Sequence, residues 1–371
     1  MKISDKLKLV PSLWDDLKEN KPNVVLYGMG DGAVKLLKIL DTLGVKCVGV
    51  FASDDFVRHQ EFMGYTVKSL GELENELGDF TVLSAFATKL NEVMENFKSI
   101  SLSHTLFIPD INVSGDYLEL FDRAFLDKFA DRIDVVYDAL DSYGKTFFEA
   151  LLSFKLSADI FYLEKIEALR ELADIPFDAD IVESFADFGA YTGDTVKEAL
   201  FLYPRMKRAA AFEPDPRTFK KLLKNIENIG IEVTAVNALL WNENKRLTLR
   251  AGGAMNTIIE ENVLLDEGLQ KKKLVEVEAV KGDDALPFIP DLIKMDVEGC
   301  EERAIDGTKK IIEDYSPILR VSIYHNHRDI FTLYEKISAL NGGYSYTLRQ
   351  KCRYIPAWDV ELIALKNTND G

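Results

Sequence analysis

Two glycines bracketed by two acids, in Asp187-Phe-Gly-Ala-Tyr-Thr-Gly-Asp-Thr195, constrain this chain more than any other stretch. Apolar residues run up to Asp187, and Gly189 and Gly193 then permit a tight turn into a helix. A second apolar run, in Ala211-Phe-Glu-Pro-Asp-Pro216, ends at Glu213, twenty residues after Gly193. In a doubly wound α/β sheet this spacing cradles a nucleoside. The backbone approaches the ligand closely, the helix begins beneath it, and a carboxylate on the next strand takes the ribose hydroxyls.

The acids say which nucleoside. A dinucleotide places its pyrophosphate against the glycine turn, where carboxylates are unwelcome. Asp187 just before this turn and Asp194 just after it would repel a diphosphate. Both suit a ligand that carries an amine and a sulfonium, so S-adenosylmethionine is favoured over NAD. Asp194 also reads as ordinary N-terminal chemistry for a helix that begins near Thr195.

A chain of 371 residues exceeds one ordinary core, and two or three domains are expected. Three regions separate: residues 1–110, 111–180 and 181–371. The formal net charge of -17 leaves no whole-chain basis for counterion-release binding to nucleic acid. The one compact basic run, Lys271-Lys-Lys273, reads as a solvated turn. Cys47, Cys300 and Cys352 show no metal-ligand spacing and suggest a reduced compartment. The first residues hold no apolar signal core and no run approaches a membrane span, so a cytoplasmic protein is expected. The oligomeric state stays open, a homodimer among the options.

The first region alternates strand and helix. Asn23–Tyr27, Val45–Phe51, Phe80–Ser84 and Thr105–Ile108 read as strands of a small parallel, Rossmann-like α/β sheet. Gly28-Met-Gly-Asp-Gly-Ala33 fits a G-x-G-x-x-A turn, with Asp54 near the position of a ribose-binding acid. Asp31 inside that turn disfavours a pyrophosphate. The domain therefore reads as free of redox chemistry, with recognition of a nucleotide-linked sugar, presentation of the acceptor, or simple packing glycines as its roles. The middle region is an acidic helical connector, with Phe125, Phe129, Ile133, Val136 and Leu140 on one face. A second stretch carries Phe147, Leu151, Phe154, Phe161 and Leu163, and the acids read as a solvated surface.

From residue 181 seven strands follow: Ser184–Phe188, Arg208–Phe212, Glu232–Asn237, Asp291–Met295, Ile318–Ile323, Tyr344–Leu348 and Val360–Leu365. Helices are expected at Asp194–Phe201, Thr218–Ile226, Glu301–Glu313 and Ile330–Leu340. Arg246–Leu249 and Leu274–Ala279 form an inserted, hairpin-like pair. No helix separates the last two strands, so they should be antiparallel neighbours.

With these elements in place, the C-terminal half resembles the FkbM family of S-adenosylmethionine-dependent methyltransferases. The carrying motifs are Asp187–Thr195, Ala211–Pro216, Val236-Asn-Ala-Leu-Leu-Trp241, Asp291-Leu-Ile-Lys-Met-Asp-Val-Glu-Gly299 and Ser322-Ile-Tyr-His325. The resemblance covers residues 181 to 366. It implies a class I methyltransferase sheet of seven strands, the last one antiparallel. It also implies that Gly189, Ala190, Tyr191, Thr192 and Gly193 line the amino acid end of the cofactor, with Asp187, Asp194 and Thr195 beside them. Glu213 would take the ribose, and Asn237 and Ala238 would lie near adenine, although Asn237 also reads as a strand-end turn residue. Two positions depart from the family pattern. Tyr191 stands where Asn is common, and Lys281-Gly-Asp-Asp284 stands where a Thr-Leu-Asp-like sequence is usual.

Methyl transfer needs alignment, and a hydroxyl acceptor also needs its proton taken. The carboxyl end of the fourth strand faces the cofactor, which makes Asp296 and Glu298 the leading base candidates. Lys294 shares their side of the strand by alternation. His325, with His327 close by, is a third candidate because histidine titrates near neutrality. A Mg²⁺ site would need Asp296, Glu298, Asp283 and His325 to converge, and no short ligand run supports one, so no metal is assigned. The expected activity is O-methylation of a small-molecule hydroxyl on a sugar, glycan or polyketide-like acceptor. The rivals are a non-catalytic protein that binds S-adenosylmethionine or a nucleotide-sugar, and an NAD-dependent oxidoreductase built on the N-terminal domain.

Overall fold

The computed structural model describes residues 2–250, 257–259 and 274–366, so the Lys271–Lys273 run lies outside the described residues. Two short helices, Ile3–Leu7 (α1) and Leu13–Asn20 (α2), precede Val24–Tyr27 (β1), whose four apolar residues are all buried. Burial along the whole strand marks a strand covered on both faces. The strands Cys47–Phe51 (β2), Thr81–Ser84 (β5) and Thr105–Phe107 (β6) complete a parallel sheet, with the small hairpin Glu61–Phe62 (β3) and Tyr65–Thr66 (β4) beside it. The strand order is β2-β1-β5-β6. Helices Asp31–Leu43 (α3), Leu70–Glu76 (α4) and Asn91–Ser101 (α5) supply the crossovers. The four strands are all parallel, as the pattern predicts.

Helices Arg123–Ala139 (α6), Ser142–Ser157 (α7) and Ile160–Glu171 (α8) form the middle layer. Each opens on an aspartate cap: Asp122, Asp141 and Asp159 accept the backbone N–H of Phe125, Gly144 and Phe161. Three acids of the region are thus caps and not merely a solvated surface. The stretch read as one helical face from Phe147 to Leu163 is two helices, broken where Ala158 turns left-handed at φ 55°. Phe161 falls beyond the break and is 60% exposed, so it does not belong to the buried face. One buried cluster runs through all three regions, from Val25 and Phe97 through Phe147 to Phe188 and Met295.

The large sheet comprises Ser184–Phe188 (β7), Arg208–Phe212 (β8), Glu232–Val236 (β9), Leu292–Met295 (β14), Ile318–Ser322 (β15), Tyr344–Gln350 (β16) and Val360–Lys366 (β17). Its order is β16-β17-β15-β14-β7-β8-β9, with β17 antiparallel between β15 and β16. Asp194–Leu202 (α9), Pro216–Ile226 (α10) and Asp329–Leu340 (α14) connect the strands. The inserted segment pairs Lys245–Arg250 (β11) with Leu274–Val280 (β13) in antiparallel register, in keeping with the expected pair. Two further short strands, Leu239–Leu240 (β10) and Thr257–Ile259 (β12), make it a separate four-stranded sheet.

The helix expected over Glu301–Glu313 is split into Glu301–Gly307 (α12) and Lys309–Tyr315 (α13), with Gly282–Ala285 (α11) just before the strand β14. A Cβ on Gly307 would lie 1.9 Å from the Trp241 carbonyl oxygen. The helix breaks beside this close approach, at Thr308, whose hydroxyl donates back to the Ala304 carbonyl at 2.8 Å.

A single buried ion pair ties the three regions together. Lys155 on α7 meets the Asp110 carboxylate just past β6 at 2.5 Å, both side chains 1% exposed. The second Asp110 oxygen accepts the Trp358 indole N–H at 3.2 Å from the loop before β17. Lys155→Met should therefore cost about 3–5 kcal/mol by stranding a buried carboxylate. Urea denaturation checks this, and the double variant Lys155→Met/Asp110→Asn should recover part of the loss.

Candidate active site

The turn expected to hold a cofactor exists, and its backbone explains its glycines. Gly189 at φ 84° and Gly193 at φ 84° both occupy left-handed backbone. A Cβ on Gly189 would lie 1.9 Å from the Asp296 carbonyl oxygen, and one on Gly193 2.8 Å from Leu222 Cδ1. The Gly189 and Ala190 N–H groups donate to the Phe212 carbonyl, which locks the turn onto β8. Tyr191 is also left-handed, at φ 47°. Asn tolerates that region better than most non-glycine residues, so this backbone suits the Asn common at this position, and nothing in the structure explains why Tyr stands here. Asp194 and Thr195 follow at the start of α9.

A cavity of about 300 Å³ opens over this turn, between the carboxyl ends of β7, β8 and β14. Of the expected residues, Gly189, Tyr191, Asp194, Thr195, Glu213, Asp296 and Glu298 line it. Glu213 presents a buried carboxylate whose oxygens accept the Tyr191 N–H at 3.1 Å and the Asp215 N–H at 2.8 Å. Burial pushes that carboxyl up to about 7, against the two backbone donors.

Asp187 is placed differently from the rim position expected of it. It is fully buried beneath the turn, 3.3 Å from the Lys294 ammonium. Lys294 also lies 3.6 Å from Asp296 and donates to the Gly189 carbonyl at 3.0 Å. Burial opposes the Lys294 charge, but Asp187 and Asp296 hold it protonated. Burial likewise raises the Asp187 carboxyl, and Lys294 draws it back. The acids that line the cavity are Asp194, Glu213, Asp296, Glu298 and Asp359, set beside Lys89, Lys294 and Lys351, and Asp187 is not among them.

Of the two readings of Asn237, the structure favours the strand-end turn residue. The strand β9 ends one residue earlier, and the Asn237 amide donates to the Glu213 and Pro214 carbonyls at 2.7 and 3.0 Å. It shapes the turn that carries Glu213. Neither Asn237 nor the buried Ala238 is among the residues that line the cavity.

The three base candidates gather at the end of β14, and their surroundings separate them. His325 is wholly buried, with Nδ1 3.1 Å from Glu301 and Nε2 3.6 Å from both Asp296 and Glu298. Burial would depress it, yet Glu301, Asp296 and Glu298 together raise it to about 10. The three carboxylates around His325 favour its protonated form, which suits a base less well than a carboxylate does. Asp296 lies low despite its burial, held there by Lys294 and His325, and it accepts the Tyr324 hydroxyl at 3.2 Å. Of the three, Glu298 alone is brought to about 7, raised by burial, with His325 opposing and Asp296 adding. It sits in left-handed backbone at φ 57°, which turns its carboxyl out into the cavity.

His327 is apart from the site, packed edge-on to Phe121 and Phe125. Asp283 is elsewhere too, accepting the Lys310 and Ile311 N–H groups at 3.2 and 3.1 Å. The ligand atoms that do approach within 4.8 Å of one another belong to Asp296, Glu301 and His325. In the N-terminal domain Asp54 lies exposed in a single 3₁₀ turn, so it is not a buried acid at a strand end of the kind that takes a ribose. Sequence reasoning missed Lys89, Lys351 and Asp359, which complete the cavity wall from outside the motifs. Lys89 reaches Asp359 at 3.0 Å across 270 positions of chain, a pairing with no local signature.

A seven-stranded sheet with β17 reversed, a glycine turn after β7 and acids at the ends of β8 and β14 together define a class I methyltransferase fold. Residues 187–353 match the model of the methyltransferase FkbM domain. The whole chain shares its fold with methyltransferase FkbM from Methylobacillus flagellatus KT. The TM-score is 0.70 at 17% identity, over 98% of this chain and 97% of that one. Precorrin-6y C5,15-methyltransferase from Geobacter metallireducens GS-15 aligns with 55% of this chain and 88% of its own, at a TM-score of 0.32 and 16% identity. Human N-acetylserotonin methyltransferase, solved with SAM, aligns with 66% and 68% at 0.27 and 13%. Likeness at those two scores carries no weight for this chain. No curated protein matches the chain in sequence.

The raised Glu298 carboxyl has a consequence for stability. Its folded value of about 7 exceeds its ordinary value of 4.5, so its contribution is complete below 4.5 and is lost as pH rises through 7. Glu298→Gln should raise the melting temperature of the ligand-free protein at pH 8 and leave it unchanged near pH 4. Equal shifts at both values in a thermal melt would count against the burial of this charge.

Proposed function

We propose that this chain transfers a methyl group from S-adenosylmethionine to a hydroxyl of a small-molecule or glycan acceptor. One observation supports it above the others. The glycine turn and Glu213 face Glu298, a carboxyl poised near neutrality, across a single cavity. The donor set suits the cofactor. Glu213 lines the cavity as an acceptor suited to ribose hydroxyls, and Asp194 and Asp296 line it as acids suited to an amine and a sulfonium, beside Lys89, Lys294 and Lys351. When bound, the cofactor supplies a methyl carbon already activated for displacement. The chain then has two tasks, alignment and deprotonation.

Glu298 is the residue for the second task. In its ionised form it takes the proton of the acceptor hydroxyl as the oxygen attacks. His325, protonated, and Asp296, ionised, hold the charge around it fixed. Lys294 keeps the Gly189 carbonyl and Asp296 in place beneath the reacting groups. Among the described residues no helix is long and apolar enough to cross a membrane.

Calorimetry with S-adenosylhomocysteine tests the cofactor half. Glu213→Ala should weaken binding by about 1–3 kcal/mol, the scale of lost charged hydrogen bonds. Unchanged affinity removes Glu213 from the ribose. An acceptor screen with a labelled methyl donor tests the catalytic half. Glu298→Gln should bind S-adenosylhomocysteine as the wild type does, yet lose on the order of 10²-fold or more in transfer rate. The wild-type rate should climb as pH rises through about 7. Full activity in Glu298→Gln would leave the chain without its base, and transfer to no acceptor at all would favour a non-catalytic cofactor-binding protein.

A further inference from the structure

A second cavity, of about 350 Å³, lies between the N-terminal glycine turn and the loop that precedes β17. Among the described residues, Glu298 alone lines both this space and the cofactor cavity. The two spaces therefore meet at the carboxyl proposed to take the acceptor's proton. A volume of this size admits one small molecule.

The polar groups on this wall are engaged by the fold itself. The Lys35 ammonium donates to the Asn112 and Val113 carbonyls at 3.3 and 3.1 Å and lies 3.3 Å from Asp31, which is exposed to solvent. The Asn112 side chain donates to the Asp116 carbonyl and accepts the His327 N–H, both at 2.7 Å. The Tyr324 hydroxyl is turned to Asp296 and the Trp358 indole N–H to Asp110. The Ser84 oxygen is buried out of reach. Glu298 is different, for its carboxyl stands 3.6 Å from His325, beyond hydrogen-bond distance. It is the acceptor left for a ligand's polar group.

The rest of the lining is rich in rings, with Phe86, Tyr324, Tyr354 and Trp358 on the wall. Trp358 neighbours both tyrosines, its centroid 6.2 Å from Tyr324 at 22° between planes and 5.3 Å from Tyr354 at 38°. Asp110 holds the indole and Lys155 holds Asp110, so this aromatic wall is formed before a ligand arrives. A sugar would bring several hydroxyls to a wall with one free acceptor, and the others would lose water without replacement. An aliphatic alcohol would bring no ring to lie against the aromatic faces. A phenol meets both conditions, with one hydroxyl and a flat apolar body. Its acidity also suits the base, because a phenol ionises at about 10, far nearer the Glu298 carboxyl than an aliphatic alcohol does.

We infer that this interdomain cavity takes a neutral phenol as the methyl acceptor, its ring against Trp358 and Tyr354 and its hydroxyl at Glu298. The inference rests on the methyltransferase reading for the transfer, but not for the binding itself. The phenolic proton passes to the Glu298 carboxylate as the oxygen takes the methyl carbon. The electron pair of the broken carbon–sulfur bond stays on the neutral thioether. The N-terminal domain thereby gains a role, since its glycine turn and the segment after β5 close one side of a substrate pocket.

Saturation-transfer-difference NMR titrations on the full chain test the binding, with 2-naphthol as the probe. Its saturated counterpart decahydro-2-naphthol and methyl glucoside are the controls. The naphthol should bind about tenfold or more tightly than either control. Tyr354→Leu, which removes a ring from the wall, should weaken it by about 2–10-fold, and Tyr354→Phe, which keeps the ring, should bind within about twofold of the wild type. Both variants should bind S-adenosylhomocysteine as the wild type does. With a labelled methyl donor the naphthol should yield its methyl ether. No binding of the naphthol, equal binding of either control, or indifference to Tyr354→Leu overturns the inference, even with cofactor binding intact. So does a wild type that binds both naphthol and S-adenosylhomocysteine yet forms no ether. If S-adenosylhomocysteine does not bind the wild type while the naphthol response obeys the Tyr354 pair, the methyltransferase reading falls and the phenol site stands.

Discussion

A single ammonium group beneath the glycine turn holds the site together. Lys294 is buried among Asp187 on β7, Asp296 past the end of β14 and the Gly189 carbonyl of the turn. The cation and its two carboxylates depend on one another, because removal of any one would leave another uncompensated in a medium of low polarity. The turn can descend far enough to touch Asp296 only because Gly189 has no side chain. This contact sets the depth of the cavity floor, while Lys294 and His325 hold Asp296 low and burial raises Glu298.

The site is completed from parts of the chain that are remote in sequence. Thr88 and Ile355 form an isolated antiparallel bridge that clamps the segment after β5 onto the loop before β17. The same two segments contribute Lys89 and Asp359 to one cavity and Phe86 and Tyr354 to the other. Lys155, Asp110 and Trp358 anchor that loop from below. The helical layer is thus a structural partner of the site and not a mere spacer. It fixes where the aromatic wall stands relative to the glycine turn of the first domain.

Much of this is legible in the chain because it depends on local pattern. The seven strands, the reversed last strand and the glycine turn follow from burial periodicity and from conformations that glycine adopts most readily. Glu213 and Glu298 are legible for the same reason, as acids at the ends of buried strands. Charge read without depth is what misleads. Asp187 reads as a rim carboxylate, yet it lies under the turn against Lys294. Alternation along β14 gives the side of the strand on which Lys294 stands, but not which residue of the neighbouring strand it meets. His325 shows the same limit. A histidine at a strand end suggests a base, and the three carboxylates packed around it, which favour its protonated form, have no local signature. Lys89 and Asp359 are beyond reach because their pairing depends on how two domains dock, which no local pattern records.

Glu298 borders both cavities, so molecules bound in the two would be thermodynamically reciprocal. Whichever molecule arrives first strips water from one face of the carboxyl and changes its affinity for a proton. The second molecule then meets a different charge from the one the empty protein offers. By linkage the influence must be equal in both directions. Occupancy of either chamber would thereby be reported to the other through one side chain, with no movement of the domains required.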